Sequence, residues 1–230
     1  MTTVAEGLQG VHARIVAAAR AAGRDPAAVR LVAASKTWAA PALRAAWSAG
    51  QRAFGENYVQ EALEKMHSLQ DLPIEWHFIG PIQSNKTRLI AECFHWVHSV
   101  ERLKIAQRLN DARPAGAQPL QVCLQVNLDA EASKSGAEPR EVEALARAVA
   151  QLPRLTLRGL MTIPRPTSDP LQQRAPFRAL RELKDRLGEA GIALDTLSMG
   201  MSEDLEAAIA EGATMVRVGT AIFGPRPRSP

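Results

Sequence analysis

The strongest constraint on this chain is a strict alternation of short apolar runs with longer helical segments. Strands are predicted near 31–37, 52–57, 73–80, 94–99, 120–127, 155–161, 196–200 and 214–219. Helices are predicted between them, over 41–49, 58–69, 83–92, 101–110, 139–152, 171–190 and 203–211. A leading helix over 4–22 carries Val4, Leu8, Val11, Ile15 and Val16 at helical spacing and closes at Gly23. Only a full final helix is missing. Such alternation implies a parallel sheet with right-handed crossovers. Eight units fit a closed (β/α)8 TIM-type barrel occupying residues 1–230 as a single domain. The alternative is an open doubly wound sheet, but no Gly-x-Gly-x-x-Gly follows the first strand.

The hydrophobic content, 46%, is enough for one large core. The formal charge of +4 is spread along the chain, with no basic block interleaved with aromatics, which argues against nucleic acid. A mildly basic protein still attracts an anionic ligand such as a phosphate ester. Cys93 and Cys123 lie far apart without a CxxC spacing, so neither a disulfide framework nor a zinc site is expected. The N-terminus has no signal-peptide pattern, and no apolar run reaches membrane-spanning length. The expectation is a soluble, cytoplasmic protein.

Chemistry concentrates at the first strand, Leu31-Val32-Ala33-Ala34-Ser35-Lys36-Thr37. Strand alternation puts Val32, Ala34 and Lys36 on one face. A buried ammonium without a partner is costly, and burial lowers a lysine's pKa, which suits a Schiff-base nucleophile. The plainer alternative is a strand-end lysine snorkelling to solvent. In barrels of this kind, phosphates bind near strands seven and eight. Here strand seven ends in Ser198-Met199-Gly200-Met201-Ser202, and a helix predicted from Glu203 makes Ser202 its N-cap. Strand eight ends in Gly219-Thr220, where glycine permits close approach and threonine adds a hydroxyl. Arg217 lies on the strand-eight face opposite Val216 and Val218. It needs an acceptor, either a ring nitrogen of a ligand or a carboxylate such as Glu56.

Five segments carry a family resemblance. They are Val32–Lys36, Phe54–Glu61, Trp76–Lys86, Leu197–Ser202 and Val216–Gly224. Together they resemble the signature segments of the pyridoxal phosphate homeostasis proteins, over about residues 4 to 224. The resemblance implies a barrel related to the N-terminal barrel of alanine racemase, with pyridoxal 5'-phosphate (PLP) as cofactor. It implies that Lys36 holds PLP as an internal aldimine, and that Ser198, Ser202, Gly219 and Thr220 form the phosphate cradle. It further implies that Arg217 faces the pyridine nitrogen, with Asn57 and His77 as polar neighbours of the cofactor.

The racemases need a second acid–base on the opposite ring face, a tyrosine from a separate C-terminal domain of the partner subunit. This chain ends soon after its eighth strand, and its one tyrosine, Tyr58, follows strand two. Two-faced proton transfer needs two positioned groups. The expectation is therefore a PLP carrier with little or no turnover, monomeric, releasing cofactor to apo PLP-dependent enzymes. The rival readings are a PLP-dependent amino-acid racemase of the same fold type and a phosphate-binding barrel without PLP. Lys86 and Lys134 are candidate secondary amines, and Met161, Met199 and Met201 candidate pocket residues. His95 and His98 fall on opposite strand faces, which argues against a metal pair.

Overall fold

The structure, a computed structural model, describes residues 3–128 and 135–225. It is a closed barrel of eight parallel strands in sequential order: β1 (Arg30–Ala34), β2 (Ala53–Glu56), β3 (Glu75–Phe78), β4 (Trp96–Val100), β5 (Leu120–Gln125), β6 (Leu155–Met161), β7 (Thr196–Ser198) and β8 (Met215–Val218). The closure is the pairing of β1 with β8, Val32 opposite Arg217 and Ala33 opposite Val218. The open doubly wound alternative is thereby excluded.

Helices α1 (Val4–Ala21), α2 (Ala40–Ser48), α3 (Val59–Ser68), α4 (Thr87–Cys93), α5 (Leu103–Ala112), α6 (Val142–Ala150), α7 (Pro170–Glu189), α8 (Leu205–Ala210) and α9 (Thr220–Phe223) surround it. The large core lies between strands and helices, where Leu31, Phe54, Phe78, Val97, Leu124, Leu160, Leu197 and Val216 turn outward. Period-two alternation sends the other residues inside, where Val32, Ala53, Trp96, Cys123, Met161 and Met215 form a small separate cluster.

α1 begins at a capping box, Thr3 with Glu6, and packs against α8 and α9. The last α-segment is one turn long, so α1 covers the seam that a full eighth helix would cover. The fit is close, because a Cβ on Gly7 would lie 2.4 Å from the Ile222 carbonyl oxygen.

Two expectations at the strand ends change. β1 stops at Ala34, so Lys36 sits in the turn beyond the strand rather than in it. α8 starts at Leu205, not Glu203, and its N-cap position is Asp204. Ser202 is therefore not an N-cap. Its hydroxyl instead accepts from the Ala221 amide at 3.4 Å and ties the β7 loop to α9.

Candidate functional site

The turn that presents Lys36 is clamped from outside the barrel. The Ser35 amide donates to the Gly55 carbonyl at 2.9 Å, continuing the sheet by one residue. The Ser35 hydroxyl donates to Glu56 Oε1 at 2.6 Å, and its carbonyl accepts from Lys65 Nζ at 2.8 Å. Lys65 also meets Glu56 at 2.7 Å and Glu61 at 2.6 Å. Glu61 reaches forward to accept from the Thr37 amide at 2.5 Å. Both neighbours of Lys36 are thus fixed by one cluster. The clamp holds Thr37 at φ 69°, a left-handed conformation that a β-branched residue rarely adopts. Lys36 itself is half-buried and lines a cavity at the C-terminal ends of the strands.

Glu56 therefore faces α3 and not the barrel interior, which removes it as a partner of Arg217. Val59, Leu63 and Met66 lie at helical spacing on one face of α3. The buried positions are Val59, Ala62 and Lys65. Lys65 was missed because a lysine is ordinarily solvated. Its signal was the Glu61–Lys65 spacing of four on one helix.

The cavity, about 250 Å³, opens at the C-terminal ends of the strands. It gathers Lys36, Asn57, Ser202, Arg217, Gly219 and Thr220. Met201 joins them, whereas Met161 is inside the barrel and Met199 in the outer core. Trp38 lines one side, its ring stacked on Phe223 with centroids 5.6 Å apart. Gly219 is required because a Cβ there would lie 2.8 Å from the Ala34 carbonyl oxygen, so any side chain would push β8 away from the Lys36 turn. Asp204 lies at the same wall and accepts from the Met201 amide at 2.5 Å. Burial pushes its pKa up, partly offset by that bond.

His77 and Ser198 are not among the lining residues. They lie inside the barrel as parts of a hydrogen-bonded chain. Arg217 Nη1 donates to Ser198 Oγ at 2.6 Å, and its Nη2 donates to the Thr162 carbonyl at 3.0 Å. Ser198 Oγ is 2.7 Å from His98 Nδ1, His98 Nε2 is 2.9 Å from His77 Nδ1, and His77 Nε2 is 2.5 Å from Glu75 Oε1. Glu75 is paired with Arg30 at 2.9 Å at the N-terminal mouth of the barrel. Burial pulls Arg217 down to about 10, so it stays cationic at neutral pH. Burial also lowers both histidines, His98 well below its ordinary value. His98 was weighed in the sequence only as a metal ligand. His95 lies apart from it, accepting from the Trp76 amide at 3.0 Å, and no metal-binding cluster occurs among the described residues. Lys86 is half-buried before α4, and Lys134 lies outside the described residues.

The family model for the alanine racemase N-terminal domain matches residues 8–227. The pyridoxal phosphate homeostasis protein of Pseudomonas aeruginosa is 65% identical over 226 residues, covering 98% of this chain and 97% of its own. This chain belongs to the pyridoxal phosphate homeostasis protein family. The Escherichia coli homeostasis protein is 52% identical, with 98% of each chain covered. The structure of PipY from Synechococcus elongatus with PLP bound superposes with a TM-score of 0.85 at 39% identity, covering 96% of this chain and all 100% of that one. An alanine racemase from Corynebacterium glutamicum shares the fold at TM-score 0.66 and 19% identity, and this chain matches only 62% of its length.

The site suits the cofactor that this family is named for. It offers an amine at Lys36, hydroxyls at Ser202 and Thr220, and a cation at Arg217 on one wall. The buried Asn57 Oδ1 has no hydrogen-bond partner among the described residues, so a donor on a bound ligand would satisfy it.

Proposed function

We propose that this chain is a PLP-binding protein of cellular PLP homeostasis, holding the cofactor covalently at Lys36 with little or no turnover. The observation that carries this reading is the convergence of the Lys36 amine and the Arg217 guanidinium on one cavity, in a chain 65% identical to a pyridoxal phosphate homeostasis protein. Bound PLP supplies an aldehyde that bonds to a primary amine and a pyridine ring that withdraws electrons. The protein's own residues do the rest. The clamped turn aims Lys36 into the cavity. Ser202 and Thr220 offer hydroxyl donors to a phosphate. Arg217, fixed at Nη1 and Nη2, presents its remaining N–H groups as donors to a ring nitrogen.

An Arg217 that can only donate leaves that ring nitrogen unprotonated, which weakens the ring as an electron sink. Tyr58, the one tyrosine, is 57% exposed and is not a lining residue of the cavity. These features favour storage and release over racemisation. In this reading the protein acts in the cytoplasm as a monomer and hands cofactor to apo PLP-dependent enzymes. Among the described residues no helix is long and apolar enough to cross a membrane.

The test is a pair of measurements on purified protein. PLP retention through gel filtration should be stoichiometric in wild type and lost in Lys36→Ala. Common amino acids incubated with the loaded protein in deuterium oxide should keep their α-protons. Lys36-dependent exchange would establish the racemase reading instead.

A further inference from the structure

Four hydrogen bonds run from Arg217 to Glu75 through the barrel interior, and donor–acceptor chemistry gives them one direction. Arginine has only donors, so Ser198 Oγ must accept from it. The serine proton is then free to donate to His98 Nδ1. His98 carries its proton on Nε2 and donates to His77 Nδ1. His77 likewise carries its proton on Nε2 and donates to Glu75. The far end imposes the same order independently. Glu75 is ionised, because His77 and Arg30 outweigh its burial and hold it at about 2, so it can only accept. Burial disfavours the cation at both imidazoles, most strongly at His98. The guanidinium at the cavity floor and the carboxylate at the opposite mouth thus agree on the position of every proton between them.

We propose that Ser198, His98, His77 and Glu75 are positioning residues that hold Arg217 as a fixed donor into the cavity. The chain answers a specific problem. This buried cation on an apolar strand has no carboxylate in ion-pair contact among the described residues, and a long flexible side chain would otherwise sample several rotamers. The polarised chain spreads its charge toward Glu75 and leaves the guanidinium orientation as the only one that satisfies all the links. Ser198 and His77 then serve the cofactor through Arg217 and not by touching it. This inference rests on the cofactor reading of the cavity given above.

Two readouts test it. In the full chain without cofactor, nitrogen-15 NMR at about pH 8 should show both buried imidazoles neutral and protonated at Nε2. An Nδ1-protonated His98 overturns the chain as described. With PLP bound, Ser198→Ala should move the visible absorption band and speed cofactor loss about 10-fold, while the reduced adduct still maps to Lys36. Ser198→Thr, which keeps the hydroxyl, should restore both. A Ser198→Ala protein with wild-type band and retention overturns the proposal. Absence of any Lys36 adduct in wild type would instead overturn the cofactor reading, and the imidazole protonation would still report on the chain itself.

Discussion

Lys65 Nζ lies 2.7 Å from Glu56 Oε1, on the outer side of β2, with both side chains buried. The pair stands directly behind the turn that presents Lys36 and fixes Ser35 on one side of that lysine, while Glu61, itself bonded to Lys65, fixes Thr37 on the other.

Lys65→Met should destabilise the protein by about 3–5 kcal/mol, because it leaves the Glu56 carboxylate buried and uncompensated. Glu56 Oε2 already lacks a hydrogen-bond partner among the described residues, so the Ser35 hydroxyl at Oε1 would be left to stabilise the carboxylate. Lys65→Met combined with Glu56→Gln should recover most of the loss. Urea unfolding of both variants checks this, and a single variant with the wild-type midpoint would contradict the clamp.

Stability should fall on mild acidification. In the unfolded chain His77 and His98 protonate near pH 6.5, whereas burial lowers both in the fold, His98 further depressed by His77 and Arg217. The unfolded state therefore binds more protons below that pH, and the stabilisation present above it is lost as pH falls. The slope reaches at most about 1.4 kcal/mol per pH unit for each histidine. Glu75 adds a second window. Burial raises it, but His77 and Arg30 hold it at about 2, so its contribution is complete above the usual 4.5 and lost below. Urea midpoints should drop between about pH 7.5 and about pH 5, and His98→Gln should flatten that drop. A flat wild-type profile would show that the imidazoles are not held neutral.

Gly219→Ala should weaken cofactor retention and cost about 1–3 kcal/mol of stability, because its methyl would overlap the Ala34 carbonyl. Backbone strain is not the cause, since Gly219 has φ −118°. Thermal unfolding alongside PLP retention tests it. Wild-type values in both would mean that the two strand ends separate without consequence.

Ser202→Ala and Thr220→Val should each weaken PLP binding about 5–10-fold, the loss of one hydrogen bond to a charged group. Binding of pyridoxal, which lacks the phosphate, should be unchanged. Equal losses for both ligands would remove these hydroxyls from the phosphate role.

The eight-fold alternation was legible because parallel strands buried on both faces read as apolar runs separated by helical periods. Lys36 and the small polar residues near the ends of β7 and β8 stood out for a similar reason, since they interrupt those runs, but the turn that carries Lys36 did not, because the apolar run reads on as strand to Thr37. Helix onsets were less so. α8 begins two residues later than the Ser202 pattern suggested, because Ser202 bonds across to Ala221 instead of along its own segment. The interior chain was not legible at all. His98 and Ser198 are 100 residues apart, and only the closure of the barrel brings them to 2.7 Å. The family resemblance implies Ser198 in the phosphate cradle, and the sequence could not correct this, because strand alternation reveals which face a residue takes, not its depth along the barrel.

The central claim is that Lys36 holds PLP, and the most direct test is chemical. The protein is incubated with PLP, its visible spectrum recorded, the complex reduced with borohydride, and the peptides mapped by mass. One visible band and one reduced adduct, on Lys36, is the predicted result. A colourless protein, or adducts scattered over surface lysines, would contradict it.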